Sequence, residues 1–68
     1  MGINKKHPDM KKLTIARINK GLSQKELAKR VGLNDKQICY YEKGFRFPRR
    51  EILEKLAKVL DCEVSDIV

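Results

Sequence analysis

Apolar residues along the chain recur at helical spacing, and no stretch alternates for long enough to predict a strand. Pro8 suits the first position of a helix, where its missing N–H costs nothing. A first helix is therefore expected from about Asp9 to Lys20, stopping at Gly21. Met10, Leu13, Ala16 and Arg17 share one face of it, and Ile15 and Ile18 lie on another. Ser23 with Glu26 three residues on forms a capping box that opens a second helix. Leu27, Ala28 and Val31 are its apolar stripe, and Gly32 closes it. Asn34 is the next N-cap, and Asp35 suits the first turn of a third helix. That helix turns Ile38 and Tyr41 inward, keeps Cys39 at its inner edge, points Tyr40 outward and ends at Gly44. A turn of Phe45, Arg46, Phe47 and Pro48 precedes a fourth helix, from about Arg49 to Leu60. Its inward positions are Ile52, Leu53, Leu56, Ala57 and Leu60. Residues 62–68 read as one more, fraying helical turn in which Val64 and Ile67 cover the core.

These elements predict an all-α domain, a compact bundle of about five short helices over residues 9–68, preceded by a basic arm at 1–8. Ile15 and Ile18 have Ile3 of that arm as a candidate neighbour. Residues 23–44 have the layout of a helix-turn-helix: two short helices joined by a tight turn around a glycine. Ala28 is small enough for the helices to cross, Gly32 permits a positive φ in the turn, and Ile38 packs the second helix onto the first.

Composition narrows the chemistry. The chain has 68 residues, so one domain is expected. No apolar run approaches the ~20 residues of a membrane span, and the N-terminus lacks the apolar stretch of a secretory signal. Cys39 and Cys62 without such a signal fit free thiols in a reducing cytoplasm. No metal pattern, cofactor loop or nucleophile–base pair surrounds the one histidine, His7, so neither a metal, a cofactor nor an enzyme is expected. The net charge of +7 is polarised: residues 1–50 carry +10 and residues 51–68 carry −3. A basic pole of this kind suits a polyanionic partner, and equally a merely lysine-rich, well-solvated surface.

Arg17, Gly21, Leu22, Ser23, Gln24, Glu26, Leu27, Ala28, Val31, Gly32, Leu33, Ile38, Tyr41, Glu42, Gly44, Leu56, Ala57, Leu60 and Val64 to Ile67 together resemble the lambda-repressor/Cro-like helix-turn-helix family, also called XRE. The likeness runs over about residues 10–68. It implies a five-helix domain that binds double-stranded DNA, with residues 34–43 as the recognition helix. Asp35, Lys36, Gln37 and Tyr40 would then face base edges. Gln24, Lys43, Arg46 and Arg49 would meet phosphates, and Arg17 with Glu42 would form a structural ion pair. The resemblance also puts a homodimer contact at the turn before the fourth helix together with the C-terminal end. Of the two Phe rings in that turn, one is expected to enter the core. The other, Phe47, is expected at the contact with Val64, Ile67 and Val68.

Three places depart from the family pattern. Asp35 replaces the usual Gln, Arg, Ser or Pro, and either accepts from a cytosine amino group or only caps the helix. The turn at 45–48 is longer and more aromatic. Asp61, Cys62 and Glu63 replace a common Gly-apolar-Ser, which weakens the N-cap of the last helix.

The functional expectation is a cytoplasmic, sequence-specific transcriptional regulator, a repressor, acting as a homodimer on a palindromic operator of a bacterium, archaeon or phage. An antitoxin using the same domain against a toxin partner is one alternative, although no extra toxin-binding segment is visible. A protein-interaction module that has lost DNA binding is another.

Overall fold

The computed structural model describes residues 7–68. Four α-helices follow in order: α1 (Lys11–Asn19), α2 (Gln24–Val31), α3 (Asp35–Lys43) and α4 (Arg50–Val59). A single 3-10 turn, Val64–Asp66, ends the chain, and no strand occurs among the described residues. α2 packs on α3 and α4, α1 on α3, and the final turn on α4. Residues 1–6, including the Ile3 contact expected for the arm, lie outside the described residues.

The first helix begins two residues later than its local signals predict. Met10 is the N-cap, so Pro8 stands outside the helix. The cause is long-range. The His7 N–H donates to the Gly44 carbonyl at 2.9 Å and the Met10 N–H to the Glu42 carbonyl at 3.2 Å. These bonds lay the incoming chain across the end of α3 and bury the Met10 side chain.

Each helix ends the same way. Leu22, Leu33, Phe45 and Cys62 donate their N–H to the carbonyl five residues back, on Arg17, Ala28, Tyr40 and Ala57, at 2.8–3.1 Å. This bond requires the preceding residue to be left-handed. Gly32, at φ 76°, fills that role between α2 and α3, with no atom within 4 Å of where a Cβ would stand. The demand there is therefore on the backbone alone. After α4 the same position is held by Asp61 at φ 57°.

Leu13, Leu27, Ile38, Leu56 and Ile67 are fully buried and draw all the elements onto one core. Burying each such side chain contributes roughly 1.5–3 kcal/mol relative to exposure. Ala28, also buried, allows the close approach of α2 to α3. Ile15 and Ile18 are on the solvent side of α1, as the helical period requires.

Three expectations are corrected. Ile67 has no accessible surface, so it belongs to the chain's own core and cannot form a partner contact. The fifth helix is a 3-10 turn, held by the Glu63 N–H to Asp66 Oδ2 (2.9 Å) and the Ile67 N–H to the Val64 carbonyl (3.0 Å). Neither Phe of the turn joins the core. Phe45 is half-buried edge-on to Tyr40 (5.8 Å between ring centres), Phe47 is exposed, and Pro48 takes the buried place.

Both cysteines are free and half-buried. Burial pushes the Cys62 thiol above its ordinary pKa, and the carboxylates of Asp66, Asp61 and Glu63 push in the same direction. Among the described residues no helix is long and apolar enough to cross a membrane, and no group of His, Cys, Asp and Glu could hold a metal ion.

Candidate nucleic-acid interface

Two capping boxes set the helix-turn-helix. Ser23 Oγ accepts from the Glu26 N–H (3.0 Å), while Glu26 Oε1 accepts from the Ser23 N–H (2.8 Å). The Ser23 backbone donor, reinforced by its hydroxyl, holds the Glu26 carboxyl below its ordinary pKa. α3 repeats the device with neutral groups. Asn34 Oδ1 accepts from the Gln37 N–H (2.9 Å), and Gln37 Oε1 accepts from the Asn34 N–H (3.1 Å). The second box is written in the sequence as Asn34 with Gln37 three residues on, a signal the residue-by-residue reading did not use. It occupies the Gln37 carbonyl, and the amide NH2 remains as the group Gln37 can offer a ligand.

Glu42 is the junction that orients these helices. Arg17 Nε donates to Glu42 Oε2 at 2.7 Å and Nη2 to Oε1 at 3.3 Å, a two-pronged ion pair. Gln24 Nε2 adds a third donor to Oε1 at 3.0 Å, and Arg17 Nη1 reaches the Leu22 carbonyl at 2.9 Å. Only 13% of the Arg17 side chain and 7% of the Glu42 side chain are exposed, so each charge relies on its partner far more than on water. Gln24 opens α2 with one amide proton on Glu42 and a second still available to a ligand.

The polar face lies over this frame. Asp35 and Lys36 are exposed in the first turn of α3, and Lys43, Arg46 and Arg49 are exposed further along the chain. One open groove brings together Lys36, Gln37 and Tyr40 from α3 with Arg46, Phe47 and Arg49 from the following loop. The Tyr40 carbonyl straps that loop to α3 by accepting from the N–H groups of Phe45 (2.9 Å) and Arg46 (3.4 Å). Gln24, Asp35 and Lys43 do not line the groove. Val64 lines a different depression with Arg50 and Glu54, apart from Phe47. His7, for which the sequence suggested no role, lines the main groove, its ring centre 6.1 Å from that of Phe47.

A wall of one helix carrying an exposed ammonium with half-buried amide- and phenol-bearing residues, flanked by guanidinium groups on a strapped loop, suits a polyanion with hydrogen-bonding edges. The model of the helix-turn-helix family matches residues 13–67, from the buried Leu13 to the buried Ile67. The chain belongs to the XRE-type helix-turn-helix family. Its helix-turn-helix, α2 and α3, is thus that of a DNA-binding domain.

Among the relatives, the cryptic phage CTXphi transcriptional repressor RstR of Vibrio cholerae is 33% identical over 57 residues. That match covers 84% of this chain and 51% of RstR. An HTH-type transcriptional regulator of Archaeoglobus fulgidus is 39% identical over 46 residues, covering 68% of this chain and 65% of that protein. The chain thus spans about half to two thirds of the length of these relatives. Among solved structures, the restriction-modification controller protein C.AhdI of Aeromonas hydrophila superposes with a TM-score of 0.79 at 34% identity. The match covers 85% of this chain and 84% of that one.

Proposed function

We propose that this chain is a non-catalytic, sequence-specific binder of double-stranded DNA that represses transcription in the cytoplasm. The observation that carries the reading is the groove in which base-reading groups of α3 stand beside Arg46 and Arg49 on a loop strapped to the same helix. Gln24, Lys43, Arg46 and Arg49 contact phosphates and fix the register, while Asp35, Lys36, Gln37 and Tyr40 face base edges in the major groove. The phage relative is named a transcriptional repressor and the archaeal relative a transcriptional regulator, which supports a regulatory role here.

One recognition helix reads only a few base pairs. A homodimer on two half-sites about 34 Å apart supplies the missing specificity. Of the expected contact, Phe47 and Val68, 44% and 49% exposed, are the apolar side chains most available to a second copy, and Val64 is half-buried. Selection of binding sites from random duplex DNA tests the proposal. Enrichment of a palindrome with half-sites one helical turn apart is expected. A pool with no enriched sequence contradicts it.

A further inference from the structure

Residues 1–50 carry four carboxylates, and three of them are engaged within the fold. Glu26 closes the α2 capping box, Glu42 holds Arg17 and Gln24, and Asp9 is also partnered. Asp35 alone among the four has no hydrogen bond or ion pair within the described residues, and it stands exposed in the first turn of α3. The cap does not need its side chain, because Asn34 and Gln37 already make both bonds of the cap; within the fold its carboxylate gains only the attraction of the helix N-terminus. On a face otherwise suited to phosphates, a bare carboxylate weakens every DNA complex that gives it no donor.

We infer that Asp35 is a specificity-determining residue that reads a cytosine in the major groove and penalises sites lacking one. This deepens the DNA-binding reading and rests on it. An ionised carboxylate only accepts hydrogen bonds. The major groove offers it two amino donors, cytosine N4 and adenine N6. Adenine sets the N7 acceptor beside its amino group, which repels the second carboxylate oxygen. Cytosine presents its amino group beside a C–H, with no adjacent acceptor on the same base. Guanine and thymine edges offer acceptors or a methyl group and leave the charge desolvated and unpaired. Discrimination by Asp35 therefore comes as much from rejection as from attraction.

The test is site selection on random duplex DNA, with titration of a selected and a scrambled duplex, for the wild type, Asp35→Ala and Asp35→Asn. A fixed C·G pair at one position per half-site is expected for the wild type. In Asp35→Ala that bias should vanish, the scrambled duplex should bind more tightly, and the selected-to-scrambled affinity ratio should fall roughly tenfold or more. Asp35→Asn should move the preference at that position to adenine, whose N6 and N7 an amide can engage together. Unchanged thermal melting of both variants separates this from a folding effect. If the wild type binds DNA and the C·G bias survives in both variants, the assignment of Asp35 is overturned while the DNA-binding reading stands. If the wild type selects no sequence, both are overturned.

Discussion

Gln24, the first residue of α2, donates its side-chain amide to Glu42 near the end of α3, 3.0 Å away, on the carboxylate that also holds Arg17 of α1. The residue proposed to grip a phosphate is therefore oriented by the group that fixes α3. In the proposed complex, phosphate positioning and base reading share one buried frame.

That frame predicts a sharp contrast between two ion pairs. Glu42→Ala leaves Arg17 nearly buried without its partner and should cost about 3–5 kcal/mol. Arg50→Ala breaks the Arg50–Glu54 pair, whose side chains are 83% and 59% exposed, and should change stability by no more than about 0.5 kcal/mol. Urea unfolding of the two variants measures both. A similar midpoint for Glu42→Ala and wild type would remove Glu42 from its structural role.

Readers and positioners should separate in binding assays. Lys36, exposed in the first turn of α3, has the reach and charge to meet guanine O6 and N7. Lys36→Ala should cost ~1–3 kcal/mol on the preferred site and relax one position per half-site. Gln24→Ala should weaken all duplexes about equally, since phosphates carry no sequence. Uniform loss in both variants would contradict the division of roles.

Asp61 holds the left-handed position after α4 that glycines hold after the other three helices. A non-glycine residue is strained there, although aspartate tolerates the conformation better than most. Asp61→Gly should stabilise the fold by about 0.5–1 kcal/mol, read as a rise in melting temperature with DNA affinity nearly unchanged. A lower melting temperature would show that the Asp61 side chain has a role beyond its backbone.

Local chemistry made much of this architecture legible. Ser23 with Glu26, Asn34, and the glycines after α1, α2 and α3 mark element ends through bonds spanning three to five residues, which a sequence displays directly. The start of α1 was not legible, because Pro8 was outweighed by bonds from His7 and Met10 to Gly44 and Glu42, more than thirty positions away. The Gln24–Glu42 bond, at a separation of 18, was hidden for the same reason. The place of Ile67 was ambiguous because an apolar terminal residue can serve either a core or a partner, and packing decides between them. In the turn before α4, the rigid Pro48 filled the inward place expected for a Phe, and Phe45 was drawn instead to Tyr40.

Assembly is testable on its own. Sedimentation of wild type and Phe47→Ser, free and on a two-half-site duplex, should show a dimer that the variant weakens. A wild type monomeric in both conditions, or a variant that dimerises unchanged, would contradict Phe47 as a contact.

The central claim is that the basic face neutralises DNA phosphates, and the salt dependence of duplex binding tests it most directly. Each neutralised phosphate contributes a log–log slope of about −0.9. With about four to six contacts per protomer, as the proposed positioners and their neighbours imply, the slope should lie between about −3.6 and −5.4 for each bound protomer. Affinity should then fall by about two orders of magnitude or more between 50 and 200 mM salt. An affinity that hardly changes with salt, or no binding even at low salt, would contradict the account.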